Sequence, residues 1–226
     1  MATESEIVYN ILNLHSGGRL SDDFIPSYNQ VAFMVKYVRA LLIRRDLDQN
    51  WHIHQDYSQD LGCLNLIKVD KAECCEIDLD CDILRTEVKL PKFLRLKNRL
   101  AITYVGSIDK QNAFDVILPQ RAPYIKYSKY TSKVPRVYYL NGYIYVPDNH
   151  DLAAINVRGI LENPKDANGF LCGDEPCYTT ESEFPLPADM IQPLIELILS
   201  KEMAYMLRTA PDSENDGHSA GANTQR

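Results

Sequence analysis

The hydrophobic residues of this chain change period twice, and that change limits the fold more than any other feature. Near the N-terminus they recur every three or four positions. From about residue 61 they recur every two, and near residue 187 the helical spacing returns. Side chains return to one face every 3.6 residues in a helix and every two in a strand. The pattern predicts an α+β chain, with two N-terminal helices and one C-terminal helix packed together and an inserted antiparallel β-rich region.

The first helix is expected over residues 4–14, where Ile7, Val8, Ile11 and Leu12 share a face. Thr3 followed by Glu6 fits a capping box, and Gly17-Gly18 supplies a stop. The second runs from about Pro26 to Leu47 on Tyr28, Val31, Val35, Val38 and Leu42. Phe33, Tyr37 and Leu41 widen that stripe, which predicts burial on more than one side. Arg44 and Arg45 then fall in the expected last turn, where cations suit the helix dipole.

Strands are expected over 61–69, 83–90, 101–105, 113–118 and 152–161. The firmest local signal is Val137–Leu140, Asn141-Gly142, Tyr143–Val146. Asn-Gly supplies the positive φ angles of a type I′ hairpin turn. Residues 162–187 read as loop, and a last helix follows from about Pro187 to Leu207, kinked or displaced by Pro193. The polar residues 209–226 lack the apolar content to fold alone. The expected division is thus 1–50 helical, 51–165 β-rich, 166–208 loop and C-terminal helix, and 209–226 a disordered tail.

A length of 226 residues is enough to bury a core without disulfide staples. The N-terminus MATESEIVYNIL has no basic region before an apolar run, and no segment reaches the roughly 18 apolar residues of a membrane span. These features predict a cytosolic chain whose six cysteines are reduced.

Charge is segregated. Residues 88–146 hold eleven basic and two acidic side chains, so they carry +9; with the whole chain at −7, the remainder carries −16. The overall sign argues against a protein that coats nucleic acid generally. Seven of the 14 tyrosines lie between residues 121 and 146, interleaved with Lys126, Lys129, Lys133 and Arg136. Three readings remain open. The tyrosines pack on a sheet face with lysines in water, or they form a protein interface, where Tyr and Arg are favoured. Alternatively the segment is a nucleic-acid-binding module, with rings stacking on bases. The candidate contact residues are Tyr124, Tyr127, Tyr130, Arg136, Tyr138 and Tyr143 here, with Met190, Leu194 and Ile198 on the terminal helix.

Candidate chemistry is sparse. His52, His54 and Asp56 could meet one metal ion from a strand, but no third His follows at a familiar spacing. Glu76, Asp78, Asp80 and Asp82 alternate with apolar residues, as on the solvated face of a half-buried strand, and no calcium-loop pattern accompanies them. Cys172 and Cys177 lack the second pair a zinc site needs, and Cys74-Cys75 is too tight for the usual spacing. No Walker loop, G-x-G-x-x-G, G-x-S-x-G or H-E-x-x-H is present. The expectation is a protein without catalytic residues, cofactor or metal.

Three segments together carry a family resemblance. They are Asn29-Gln30 with the run Val38–Asp46, the strand pair Pro135–Val146 around Asn-Gly, and Phe184–Ile191 opening an apolar helix that continues to Glu202. In this order they resemble the head-to-tail connector or ring proteins of podovirus-like tailed phages, especially the crAss-like group, over most of residues 5–207. The resemblance implies a subunit of a closed, twelve-fold ring that docks below the portal protein, extends the DNA channel and joins head to tail. Its implied partners are itself, the portal, further tail or ring proteins and the genomic DNA passing through, with no membrane. Its implied place is the tail or neck of the virion, after assembly in the host cytoplasm.

Overall fold

The computed structural model describes residues 2–18, 26–50, 53–69, 83–97, 99–125, 134–147 and 151–206. It is an α+β fold built on a seven-stranded mixed sheet. Helix α1 spans Glu4–Ser16. Its Thr3–Glu6 capping box is present, and Gly17 closes it in the left-handed conformation at φ 61°. Helix α2 spans Tyr28–Gln49. Gln30 Oε1 accepts from the Ser27 N–H at 3.0 Å and fixes its start. Because α2 runs on to Gln49, its last turn holds no basic residue, and the expected dipole contact of Arg44 and Arg45 is not made.

The strands are β1 Gln59–Lys68, β2 Leu84–Thr86, β3 Ile102–Gly106, β4 Asp115–Ile117, β5 Arg136–Leu140, β6 Tyr143–Val146 and β7 Ala154–Gly159, in spatial order β3-β7-β1-β2-β6-β5-β4. β1 is the long shared strand. Its first part pairs with β7, and Leu66, Ile67 and Lys68 pair with β2. The β5–β6 hairpin turns at Asn141 (φ 52°) and Gly142 (φ 91°), as the sequence predicts. A side chain at Gly142 would also meet that of Lys89, with the nearest carbon 2.8 Å from the Cβ position. The sheet is not wholly antiparallel. β4 pairs parallel to β5, with the one-turn helix α3 (Ala122–Ile125) in the long connection between them. That connection is long enough for the crossover a parallel pair requires. The strand expected over 83–90 stops at Thr86; beyond it the Leu90 N–H donates to Gly142 O, Phe93 forms an isolated bridge with Leu161, and the Leu90 and Phe93 side chains are buried against the sheet.

A small second sheet, β8 (Leu171–Cys172) with β9 (Glu175–Pro176), interrupts the loop before the terminal helix. α4 (Ala188–Leu197) carries Pro193 inside it, then passes through a π-helical turn over Ile198–Glu202 into α5, Met203–Met206. Pro193 neither sets the start of the helix nor breaks it; the departure from α geometry comes five residues later.

Two apolar cores result. One joins Ile7, Ile11, Val31, Val35, Val38, Leu194, Ile195 and Ile198 with Leu96, Ile160 and Phe184. The other lies on one face of the sheet and joins Leu64, Val137, Ile144, Ile155 and Val157 to Phe93, Phe170 and Tyr178. No helix among the described residues is long and apolar enough to cross a membrane.

Candidate interaction surfaces

Strand alternation divides the tyrosine-rich hairpin between two faces. Tyr139 points inward, where its ring meets Phe93 edge-on at 5.7 Å, beside the second core. Tyr138 and Tyr145 face each other across β5 and β6 on the outer side. Their rings are stacked at 5.2 Å with only 7° between planes. The register extends this row across five strands. Ile67 lies opposite Arg85, Arg85 opposite Tyr145, Tyr145 opposite Tyr138, and Tyr138 opposite Ile117. The Arg85 guanidinium also sits 4.5 Å from the centre of the Tyr143 ring, a cation–π distance. Val69, Ile83, Arg85, Tyr138, Leu140, Asn141, Tyr143 and Tyr145 line a groove of about 480 Å³ on this face.

The other proposed contact residues are scattered. Tyr124 on α3 is 75% exposed. Tyr127 and Tyr130, with Lys126, Lys129 and Lys133, lie outside the described residues. Arg136 is buried, so it presents no charge to a partner. Leu194 and Ile198 are also fully buried, inside the first core. The apolar face of the terminal helix is thus consumed within the chain. Met190 is half-buried against that core, and its sulfur lies 3.2 Å from the Tyr57 hydroxyl oxygen.

A second surface lies on α2. Phe33 and Tyr37, expected to be buried, are 70% and 55% exposed. The helix is two-sided: Val31, Val35 and Val38 enter the core, and the other apolar stripe faces out. With Lys36 and Ala40 it forms one wall of a groove of about 590 Å³, whose far wall is Leu90-Pro91-Lys92 and Glu162, Asn163 and Asp166. A smaller continuation of about 290 Å³ follows Leu41 and Arg44 along Phe93–Arg95.

Between these surfaces sits a buried polar knot. Arg39 is wholly buried on α2. Its Nε donates to the Pro185 carbonyl at 2.9 Å, and its two terminal nitrogens donate to Leu161 O at 3.0 Å and Tyr57 O at 3.3 Å. One side chain therefore ties α2 to the end of β7, to the entry of α4 and to the turn before β1. Burial pushes its pKa down to about 10, against the attraction of Tyr178 and Glu4. Glu4 is also fully buried, with Lys165 Nζ 3.3 Å from Oε1. Burial and the charge of Glu4 push the Tyr178 hydroxyl well above its ordinary range, although Arg39 pulls the other way. Tyr57, which donates to Asp46 at 2.8 Å, is raised by burial and by that carboxylate. Nothing in the local sequence pattern marks Arg39 as internal except its place on the same face as Val35 and Val38.

A second polar cluster shapes β1. Asp60 accepts from the Gly62 N–H at 2.9 Å and Asn156 Nδ2 at 3.0 Å, and pairs with Lys110 Nζ at 2.9 Å. Burial alone would raise its pKa, but the bonds from Lys110, Gly62 and Asn156 outweigh it and hold the carboxyl below the ordinary range. The register of β1 against β7 shifts here, and Gly62 adopts φ 70°. A Cβ there would lie 2.1 Å from the Leu171 carbonyl oxygen, so only glycine lets the β8–β9 hairpin dock.

That hairpin corrects the expectation of reduced thiols. It brings the Cα atoms of Cys172 and Cys177 to 4.9 Å, within bridging distance, and the two are joined by a disulfide. Among the described residues no group of three or more His, Cys, Asp or Glu side chains could hold a metal ion. His54 stands edge-on to the Tyr57 ring at 5.8 Å. His52, Glu76, Asp78, Asp80, Asp82, Cys74, Cys75 and Cys81 lie outside the described residues.

Comparison with known proteins places the chain in a family. The family model described as phage tail ring protein 2 matches residues 6–221. The chain belongs to this family. It is also similar to Ring protein 2 of Bacteroides phage crAss001, with 29% identity over 231 aligned positions that take in 95% of this chain and 96% of that protein. A tail ring protein is a structural component of the virion.

Proposed function

We propose that the chain is the repeating subunit of a closed, twelve-fold ring that docks below the portal, extends the DNA channel and joins head to tail. The supporting observation is that its two exposed aromatic surfaces are unlike each other and lie on different sides of the sheet. The α2 groove borders the segments that cover the sheet's inner face, and the Tyr138/Tyr145 row lies on the outer face. Two unlike surfaces suit head-to-tail contacts, which close into a ring when the rotation per subunit divides the circle. A two-fold dimer would instead bring one patch against its own copy. In this reading some contacts join neighbours within the ring, and others join the portal and further tail or ring proteins. The net charge of −7 keeps a channel open to DNA without strong adhesion.

The test is native mass, measured alone and with the portal of the same phage, with negative-stain images of each mixture. A discrete ring, formed alone or on the portal, supports the reading. A chain that stays monomeric in both conditions removes it. The Arg85/Tyr143/Tyr145 face also has the chemistry to stack bases, so salt-dependent binding of single-stranded DNA by that monomer would favour a nucleic-acid-binding module.

A further inference from the structure

We propose that the exposed Phe33/Tyr37 face of α2 on one copy docks into the acidic pocket between the Gln55–Asp60 and Cys177–Pro185 segments of the next. This rests on the ring reading and names both halves of one of its repeating contacts. Phe33 and Tyr37 stand about one turn apart and are 70% and 55% exposed, so their rings project as a pair. Large apolar side chains exposed side by side mark an interaction surface. Lys36 and Arg44 flank them on the helix, and Lys92 and Arg95 stand on the far wall of the groove. These four cations make no ion pair or side-chain hydrogen bond with any described residue. Glu162 and Asp166 are the carboxylates of the same lining, so the cations leave this face positive.

The receiving pocket has a volume of about 490 Å³, room for an aromatic ring, and Phe184, Pro185 and Tyr178 give it an apolar wall. Gln59 also lines it and is only 7% exposed. Its Nε2 donates to the Pro164 carbonyl at 3.2 Å, but its Oε1 accepts from no described residue. A hydroxyl carried in with a neighbour's ring, such as that of Tyr37, is a donor of the kind it lacks. Asp56 and Glu183 are exposed in the same lining and make no ion pair or side-chain hydrogen bond with any described residue. Asp60 is paired with Lys110, so Asp56 and Glu183 outnumber Arg158 and the rim is negative. The contact joins the opposed charges of the sequence, because Lys92 and Arg95 belong to the +9 segment and Asp56 and Glu183 to the −16 remainder. Such complementarity steers encounter and sets register.

The two halves lie on opposite sides of α2. Arg39 leaves the helix about 200° round from Tyr37. It donates to the Pro185 carbonyl, in the wall of the pocket, and to that of Tyr57. A copy cannot turn its own rings into its own pocket without passing through α2, whereas a neighbour can. The contact is heterologous, as a ring requires. Both halves are ordered before they meet, the rings on a 22-residue helix and the pocket wall through Arg39, so little conformational entropy is lost on docking.

The test uses the full chain, assembled alone and on the portal. Reversing the helix charges (Lys36→Glu with Arg44→Glu) or the pocket charges (Asp56→Lys with Glu183→Lys) is expected to lower the ring fraction about tenfold at fixed concentration. Combining the two sets should restore it to within about threefold. Circular dichroism of each variant confirms that the fold is kept. In a second measurement, a benzophenone amino acid in place of Phe33 should capture, on illumination, a peptide from residues 55–60 or 177–185 of a differently tagged copy. Rings that persist in either single-set variant, loss of rings without rescue in a folded combined variant, or capture of a different peptide overturns the docking and leaves the ring reading standing. A wild-type chain that forms no ring under either condition overturns both.

Discussion

Replacing Arg39 by methionine should destabilise the protomer more than any other single change of similar volume. The guanidinium is wholly buried and donates to three backbone carbonyls, those of Pro185, Leu161 and Tyr57. Methionine fills much of the space but donates nothing, so three buried acceptors lose their partner. Each such bond to a charged donor contributes about 1.5–3 kcal/mol, and an acceptor left unsatisfied costs about 1–3. Against that stands the desolvation of the cation itself, evident in its depressed pKa of about 10. Removing the cation also strips Glu4, fully buried, of an attracting charge. Removing one partner of a buried charged network costs about 3–5 kcal/mol, and we expect Arg39→Met to fall in that range. Arg39→Lys, with one ammonium for three diverging carbonyls, should lose about 2 kcal/mol. Urea unfolding followed by circular dichroism measures both. The Arg39→Met and Glu4→Gln changes should be less than additive, because each removes the other's electrostatic partner. An Arg39→Met variant within about 1 kcal/mol of wild type would refute the claim that this side chain joins the elements.

Gly62→Ala meets both the positive φ and the Leu171 carbonyl, so it should cost about 2–3 kcal/mol and loosen the β8–β9 hairpin, seen as faster amide exchange there. Reduction of the Cys172–Cys177 bond opens a small loop and should remove about 2 kcal/mol, read as a lower melting temperature in reductant that Cys172→Ser with Cys177→Ser reproduces. Phe33→Ser with Tyr37→Ser should change stability by only about 0.5 kcal/mol, because both rings are exposed, yet weaken association with the portal or neighbouring copies in native mass measurements. Alkaline pH should destabilise the fold. Tyr57 and Tyr178 have pKa values raised above the unfolded 10.0, so their contribution is complete below that pH and is lost as pH climbs beyond it. Arg39, lowered from 12.5 to about 10, acts in the opposite sense over the same interval, so two groups oppose one and stability falls. A stability profile flat or rising above pH 10 contradicts this, and Tyr57→Phe with Tyr178→Phe should abolish the fall.

What could be read in the sequence was whatever is decided within a few residues. Thr3, Glu6 and Gly17 define α1 because a cap is a contact between neighbours in the chain. Asn141-Gly142 defines the hairpin because the turn demands two positive φ angles in succession. Of the candidate surface, the outward direction of Tyr138 and Tyr143 follows from strand alternation once the turn is placed. The remainder depends on partners far along the chain. An apolar stripe does not reveal whether it meets the protein's own core or a partner, so Phe33 and Tyr37 look like Val31 and Val35. Arg136 and Arg39 look like surface cations, because burying either requires acceptors supplied from elsewhere, as far as 146 positions away for Arg39 and Pro185. The parallel pairing of β4 with β5 is likewise fixed by the route of the connection and not by either strand's own residues. Cys172 and Cys177 gave no sign of bonding because the small hairpin that aligns them depends on a glycine bulge more than a hundred residues earlier.

The distribution of apolar surface also bears on the order of events in assembly. The terminal helix is apolar almost all round, the composition expected of an element shared between subunits. Yet Leu194, Ile195, Ile198 and Met203 all enter the first core with α1 and α2. Arg39 then fastens that core to the segment entering α4 and to the end of β7. Among the described residues, both cores are closed by the chain's own side chains. An obligate oligomer, in contrast, leaves part of its core to be supplied by the partner, and its folding depends on protomer concentration. In the proposed ring, the surfaces left for association lie outside the cores, at the α2 groove and the outer sheet face. A subunit so arranged is expected to fold first as a monomer and associate afterwards, which a native circular dichroism spectrum at concentrations too low for association would check. Ring closure can then be governed by the template and by charge, without coupling it to folding.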